Sequence, residues 1–135
     1  MRVAELMHTD LKTISVDATV ADVVDALTEA QVSALPVVDR FGRAVGVVST
    51  RDVLKAESTF VTRSRDALFE QTTVLEVMAP WPPTIAPDAD VREAAQRMLY
   101  SDAQRLFVED QGALVGVISQ TDIVGAVART KFVTR

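Results

Sequence analysis

The sequence predicts an α/β protein of mixed α+β character, in which two copies of one β-α-β-β-α unit pack as one pseudo-symmetric module. Two observations support this fold class. An internal repeat covers almost all 135 residues, and strand-like and helix-like hydrophobic periods follow one another in the same order in both copies. The residues are 48% apolar and 5% aromatic, so the core is expected to be aliphatic. Each copy alone is too small for a substantial core, and we expect the copies to share buried surface.

The repeat consists of three matching blocks. Two of them recur 71 residues later: VAELM at 3–7 resembles VLEVM at 74–78, and TISVD at 13–17 resembles TIAPD at 84–88. The third recurs 70 residues later, GVVSTRD at 46–52 resembling GVISQTD at 116–122. One residue is therefore missing from the second copy, and we place its loss in the loop near Ser101 and Asp102.

These blocks define the predicted domain organisation. We expect repeat 1 at residues 1–56, a connector at 57–73, repeat 2 at 74–129 and a C-terminal tail at 130–135. The connector is rich in Ser, Thr and charges of both signs, and its residues 64–71 are compatible with a helix. No chemistry is predicted for the connector.

The elements of the first copy follow from local patterns. Residues 12–16 are rich in β-branched side chains and predict a strand. Residues 19–30 predict a helix with one apolar stripe and a capping box at its start. Residues 34–39 and 45–48 predict a hairpin, and a second helix is expected to begin near Thr50.

The second copy repeats this order. Residues 84–86 predict the first strand, and residues 90–100 predict a helix with apolar residues on one face. Residues 106–109 and 114–118 predict the hairpin, and the last helix is expected to begin near Gln120.

Charge and composition exclude several classes of function. The formal net charge is −5 and its acidic excess is spread over both halves, which disfavours nucleic acid and anionic membrane surfaces as partners. The sequence has no cysteine, so disulfides, thiolate metal sites and a cysteine nucleophile are excluded. No apolar run approaches the roughly 20 residues that span a bilayer, and residues 1–5 lack the apolar core of a signal peptide. A cytoplasmic protein is expected.

The ordered motifs resemble the CBS domain (cystathionine-β-synthase domain). The matching pattern runs from the VAELM block through TISVDATV and LPVVDRFGR to GVVSTRDVL, and its main parts recur in the second copy. The chain thus resembles a stand-alone tandem CBS pair, or Bateman module, over residues 3–56 and 74–128. The resemblance implies a regulatory module that binds an adenosine-containing nucleotide, AMP, ADP or ATP, in clefts between the repeats. It also implies a homodimer and a regulated partner protein, which the sequence does not identify.

Two helix starts combine the features of a nucleotide site. Ser49 to Asp52 and Ser119 to Asp122 each follow a glycine-led strand and open a helix, whose free N–H groups and positive dipole end suit a phosphate. The serine hydroxyl can donate to phosphate, and the aspartate can accept hydrogen bonds from ribose hydroxyls. The same spacing is also a plain capping box, which is the favoured interpretation from spacing alone. The resemblance favours ligand contact.

Further site residues are implied by the resemblance. Thr13 and Thr84 open the first strands, and backbone near two strand segments is expected to border the adenine, although ordinary packing explains Leu35 and Leu106 better. Leu106 is aligned with Pro36, so the second copy departs from the first at the expected adenine wall. The predicted ligand-binding residues are Thr13, Ala34, Leu35, Pro36, Ser49, Arg51, Asp52, Thr84, Arg105, Leu106, Phe107, Ser119, Thr121 and Asp122.

The two predicted sites differ in charge. Arg51 corresponds to Thr121, so the first site is expected to favour the more highly phosphorylated ligand, although Arg105 replaces Ala34 and offers a cation to the second site. Two alternatives stay open. One is a ligand-free module that dimerises or docks a partner, and the other is a sensor of S-adenosylmethionine or NAD.

An enzyme is not expected, and neither is a required cofactor or a metal. The sequence lacks a Ser-His-Asp set, a P-loop and a Gly-x-Gly-x-x-Gly motif. His8 is the only histidine and cannot complete a zinc site, so a surface or helix-end role is expected for it. Small and apolar residues such as Ala126 and Val127 on outer helix faces favour the homodimer.

Overall fold

The computed structural model describes residues 1–60 and 62–133, with side chains described up to residue 129. The chain divides into two compact units. We call Lys12–Pro82 the first unit, and Met1–Leu11 together with Pro83–Arg135 the second unit. The first unit carries the body of repeat 1, and the second unit carries the body of repeat 2.

The first unit contains a four-stranded sheet in the order β1-β2-β3-β4. Strand β1 runs parallel to β2, and the other neighbours are antiparallel. Its elements are β1 (Ile14–Ser15), α1 (Val20–Ala30), β2 (Ala34–Val38), β3 (Ala44–Ser49), α2 (Thr50–Thr59), a π-helical turn (Ala67–Gln71), α3 (Val74–Val77) and β4 (Ala79–Pro80).

The second unit is built around an antiparallel hairpin. Its elements are a 3₁₀ turn (Val3–Glu5), α4 (Val91–Ser101), β5 (Arg105–Asp110), β6 (Ala113–Ser119) and α5 (Gln120–Val133). Two isolated bridges, Ile85 with Val108 and His8 with Val117, take the places that β1 and β4 have in the first unit. The predicted fold class, with two β-α-β-β-α repeats, is confirmed.

The predicted strand at residues 84–86 is reduced to the single bridge at Ile85. In the first unit, β1 gains a second pairing because the N–H of Val16 donates to the carbonyl of Val38 at 3.0 Å. Pro87 stands at the position of Val16 and has no N–H to donate. The prediction was therefore too long in the second copy, and the proline accounts for it.

The residue missing from the second copy lies in the hairpin turn, so the predicted loss near Ser101 and Asp102 is wrong. Asp102 ends α4 with φ 54°, as Gln31 ends α1 with φ 55°, which keeps the displacement at 71 up to that point. The displacement changes from 71 to 70 in the hairpin turn. Residues 39–43 join the paired residues Val38 and Ala44 in the first unit, whereas only residues 110–113 join the equivalent pair, Glu109 and Leu114, in the second.

The strand register also corrects one correspondence at the predicted adenine wall. Pro36 pairs with Val47, and the equivalent pair in the second unit is Phe107 with Val117. Phe107, rather than Leu106, is thus the counterpart of Pro36. The correspondence of Arg105 with Ala34 holds, because they pair with Ser119 and Ser49 respectively.

Each unit has its own aliphatic core. The core of the first unit consists of Ile14, Val23, Leu27, Leu35, Val37, Val48 and Val74. The core of the second consists of Val3, Ile85, Val91, Ala94, Met98, Leu106, Val108, Ile118 and Ile123. Leu35 and Leu106 therefore have the packing role that the sequence favoured.

The leading segment of each repeat packs in the unit that carries the body of the other repeat. Val74, from the start of repeat 2, is fully buried in the first unit, and its N–H donates to the carbonyl of Ala18 at 2.8 Å. Val3, from the start of repeat 1, is fully buried in the second unit, and its N–H donates to Ala89 at 2.8 Å. Sequence repeats and compact units therefore divide the chain differently.

The residues expected to connect the repeats belong to the packed first unit. Leu68 and Thr72 are buried, and Arg63 Nη1 donates to Thr72 Oγ1 at 2.7 Å. The turn at Ala67–Gln71 matches part of the helix expected over 64–71. Helix α5 extends to Val133, into the expected C-terminal tail.

Two strand glycines let the leading segments approach closely. A Cβ atom on Gly46 would lie 2.7 Å from Met78 Sδ and 2.8 Å from the carbonyl oxygen of Ala79. A Cβ on Gly116 would lie 2.7 Å from Met7 Sδ and 3.0 Å from the carbonyl oxygen of His8. A side chain at either position would push the leading segment away from the hairpin.

We expect Gly46→Ala to lower the free energy of unfolding by about 1–3 kcal/mol, because the added methyl group overpacks a contact that includes backbone. Urea denaturation measures the change. Gly125→Ala is the matched control: its Cβ would meet only the end of the Arg129 side chain, at 3.4 Å, and helix propensity should raise stability by up to about 1 kcal/mol. Equal effects of the two substitutions would contradict this explanation.

Candidate functional site

In the first unit, the turn from β3 into α2 forms the expected capping box. The N–H of Asp52 donates to Ser49 Oγ at 3.2 Å, and the N–H of Ser49 donates to Asp52 Oδ2 at 2.9 Å. The Ser49 hydroxyl also donates to Oδ2, at 3.0 Å. Within the described part of the chain, Asp52 Oδ1 has no hydrogen-bond partner. Capping thus uses one carboxylate oxygen and leaves the other available.

A cavity of about 320 Å³ lies beside Asp52. Helix α2 contributes Asp52 and Lys55 to its wall, and Phe60 follows at the end of the same helix. The opposite wall is the α3–β4 segment, including Met78 and Ala79. The cavity therefore combines two carboxylates, Asp52 and Glu76, with an ammonium group, an aromatic ring and apolar surface.

The second unit has the same capping box at the start of α5. The N–H of Ser119 donates to Asp122 Oδ2 at 2.8 Å, and the N–H of Asp122 donates to Ser119 Oγ at 3.2 Å. A cavity of about 460 Å³ lies beside this turn. Its wall consists of His8, Gln104, Arg105, Val117, Ser119, Gln120, Thr121 and Asp122.

His8 occupies the second oxygen of Asp122. Its Nε2 lies 2.8 Å from Asp122 Oδ1, and because an ionised carboxylate only accepts, Nε2 carries the hydrogen. Two main-chain hydrogen bonds with Val117, at 2.8 and 3.0 Å, hold the His8 backbone beside β6. The His8 side chain is 68% exposed and that of Asp122 is 17% exposed.

These contacts set the ionisation of Asp122. Burial raises the pKa of this carboxyl, but the hydrogen bonds from the Ser119 N–H and the His8 ring outweigh burial. The net effect is a pKa below the ordinary value of 3.8. Asp122 is therefore ionised at neutral pH and attracts cations and hydrogen-bond donors.

The structure gathers some of the predicted site residues and separates others. Arg105, Ser119, Thr121 and Asp122 line the second cavity, whereas Asp52 alone of the predicted set lines the first. Arg51 is exposed on α2 and is not among the residues that line the cavity beside Asp52.

The strand positions of the predicted set are mostly buried or engaged. Leu35, Pro36, Leu106 and Phe107 are buried, and Ala34 is half-buried. Thr13 is exposed, whereas the Thr84 carbonyl accepts a hydrogen bond from Arg97 at 2.7 Å. The role of these residues toward a ligand stays a prediction.

The cavity-lining residues that sequence reasoning missed include His8, Lys55, Phe60 and Glu76. A signal for His8 was present, since the 71-residue displacement aligns His8 with Ala79 and thereby marks a histidine in one copy against a methyl group in the other. Lys55 follows Asp52 by three residues, so the two side chains lie on the same face of α2.

Among the described residues, no group of three or more His, Cys, Asp or Glu side chains is arranged to hold a metal ion. None of the helices described is both long and apolar enough to cross a membrane.

We expect His8→Ala to raise the pKa of Asp122, because one of the two groups that lower it is removed while the Ser119 N–H bond remains. A carboxyl ¹³C NMR titration measures this change. The Asp39 carboxyl, whose pKa is lowered first by the Arg43 N–H, is an internal control that should not move. An unchanged Asp122 would contradict the assigned contact.

The lowered pKa of Asp122 makes the stability of the folded protein depend on pH. The folded pKa of Asp122 lies below its ordinary value, so its contacts stabilise the folded protein above pH 3.8 and are lost as the pH falls through the folded pKa.

Comparison with known proteins agrees with this architecture. The CBS domain family matches residues 3–59 and 74–129. A CBS domain-containing protein of Dictyostelium discoideum is 31% identical over an aligned stretch of 127 residues, and the match covers 90% of this chain and 88% of that protein. An inosine-5'-monophosphate dehydrogenase of Methanocaldococcus jannaschii is 29% identical over 121 residues, 89% of this chain and 22% of the enzyme.

A solved structure resembles the whole chain. The crystal structure of CBSX2 in complex with AMP has a TM-score of 0.81 at 27% sequence identity, and the match covers 96% of this chain and 98% of that one. The two matched segments, the two β-α-β-β-α repeats and these relatives lead to one conclusion: the chain is a tandem pair of the CBS domain family.

Proposed function

We propose that the chain is a non-catalytic regulatory module that binds an adenosine nucleotide, with AMP as the first candidate. One observation supports this most directly: Asp52 keeps one carboxylate oxygen without a partner among the described residues, beside a cavity at the start of a helix. The structural relative bound to AMP, at 27% identity, supports the choice of ligand.

The chemistry of the first cavity fits the parts of a nucleotide. Asp52 Oδ1 can accept a ribose hydroxyl, while Oδ2 continues to cap α2. Capping and ligand binding are thus compatible, because they use different oxygens of the same carboxylate. The ammonium group of Lys55 can stabilise phosphate, and the Phe60 ring and Met78 offer apolar surface to the base.

The number of phosphates is a separate part of the proposal. Lys55 lines the cavity, whereas Arg51 lies on the first turn of α2 outside the lining, so Arg51 would favour a ligand with more charge than AMP only through phosphates that extend beyond the cavity wall. AMP, ADP and ATP are therefore tested side by side, together with S-adenosylmethionine and NAD.

We further propose that the module regulates a partner rather than catalysing a reaction. The matched segment accounts for 22% of the inosine-5'-monophosphate dehydrogenase, so a CBS pair there accompanies a much larger remainder. By analogy, a nucleotide-dependent change in this chain would act on a partner protein. A cytoplasmic location is consistent with such a ligand and remains part of the proposal.

We expect Asp52→Asn to weaken AMP binding by about 1–3 kcal/mol, the cost of losing a charge-assisted hydrogen bond to ribose. Isothermal titration calorimetry measures the affinity. Asp22→Asn is the matched control, because Asp22 forms the same capping box with Thr19 at α1 but does not line either cavity. If both variants lose affinity equally, the effect belongs to capping and the ribose assignment fails.

Self-association is the second part of the proposed function. Apolar side chains on α4 and α5 are exposed, namely Leu99, Tyr100, Val124 and Val127. A groove of about 670 Å³, lined mainly by apolar groups, lies between these helices. Ala126, expected on an outer face, is instead 4% exposed within the second unit, so Val127 and its exposed neighbours carry this argument.

We expect light scattering to show a homodimer at micromolar concentration, and Val124→Glu with Val127→Glu to shift it to monomer, because two buried carboxylates in an apolar interface are costly. Phe41→Glu is the control, since Phe41 is an exposed apolar residue of a hairpin turn. A wild-type monomer would contradict the proposal.

A further inference from the structure

The carboxylates of Asp52 and Asp122 perform the same capping but differ at the other oxygen. In the second unit, Asp122 Oδ1 contacts His8 Nε2 at 2.8 Å. In the first unit, Ala79 pairs with Val47 as His8 pairs with Val117, so a methyl group replaces the imidazole. The two carboxylates therefore differ in the residue beside them. The cavities also differ elsewhere, because Lys55 and Phe60 line only the first and Arg105 lines only the second.

The His8 ring is held where a ribose would have to bind. Its backbone is fixed to Val117 by two hydrogen bonds, and the ring lines the same cavity as Asp122. Both oxygens of Asp122 are then engaged, Oδ2 by Ser119 and Oδ1 by His8. A ribose hydroxyl that approaches Oδ1 from this cavity therefore competes with the imidazole for the space beside that oxygen.

On the basis of the proposed function, we propose that His8 closes the second unit to adenosine nucleotides, so that the chain binds one nucleotide, through Asp52, and not two. At Asp122 a ribose would exchange one charge-assisted hydrogen bond for another and displace a side chain as well. At Asp52 the ribose adds a bond without displacing any side chain of the described chain. His8 is thus a specificity-determining residue.

Calorimetry of the full chain with AMP tests this inference. We expect one AMP per chain for wild type and a second, weaker site in His8→Ala, because the substitution leaves Asp122 Oδ1 without the imidazole, as Asp52 Oδ1 is, but the second cavity has no counterparts of Lys55 and Phe60 in its wall. His8→Ala with Asp122→Asn should return the count to one. His8 is exposed, so the substitution leaves the core untouched.

Two further variants assign each site. His8→Ala with Asp52→Asn should keep one AMP site, bound through Asp122, whereas Asp52→Asn alone should leave none within about ten-fold of wild-type affinity. Ala79→His is the reciprocal substitution, and it should weaken wild-type AMP binding by about ten-fold or more by placing an imidazole beside Asp52. Circular dichroism checks that Ala79→His retains the fold. The comparison of His8→Ala with His8→Ala/Asp122→Asn tests the role of His8 without relying on Ala79→His.

The outcomes separate this inference from the proposed function. Three results would overturn the role of His8 while leaving nucleotide binding intact. They are two AMP molecules bound per wild-type chain, the same number of AMP molecules bound by His8→Ala as by wild type, and loss of the wild-type site in Asp122→Asn instead of Asp52→Asn. No AMP binding by wild type and His8→Ala alike would overturn the proposed function, and the inference with it.

Discussion

The structure depends on the close seating of each leading segment against a glycine of a hairpin. Met78 and Ala79 lie against Gly46, and Met7 and His8 lie against Gly116, at distances that leave no room for a side chain. This contact brings the last strand or bridge to each hairpin and places Val74 and Val3 in the two cores. It also sets which residue lies beside the capping aspartate. The fold and the chemistry of each cavity therefore originate in the same contact.

Asp52 and Asp122, which cap α2 and α5, use their two carboxylate oxygens differently. One oxygen closes the capping box in both units, and the other is available to a different partner. In the second unit that partner is an imidazole from the leading segment, and in the first unit no described residue takes this place and Asp52 lines a cavity. A substitution in a distant part of the sequence can thereby change the contacts of the carboxylate without altering the capping motif.

The sequence was sufficient for features that depend on local patterns. The helices at Val20–Ala30 and Val91–Ser101, both hairpins and the capping boxes follow from hydrophobic period and residue type within a few positions. The position of the missing residue could not be found this way, because it depends on strand register. The contact of His8 with Asp122 joins residues 114 positions apart, and no local pattern encodes such a contact. Local patterns also do not predict that each leading segment packs in the unit that carries the body of the other repeat, because those contacts join residues far apart in the sequence.

That exchange has a consequence for how the chain is made. All residues of the first unit, Lys12–Pro82, leave the ribosome as one continuous stretch, so this unit can fold while synthesis continues. The second unit is discontinuous, because Met1–Leu11 is made before the first unit and its hairpin partner, which contains Gly116, is made after it. Val3 and Met7 therefore reach their positions in the second unit only after the whole first unit and the second hairpin have been synthesised.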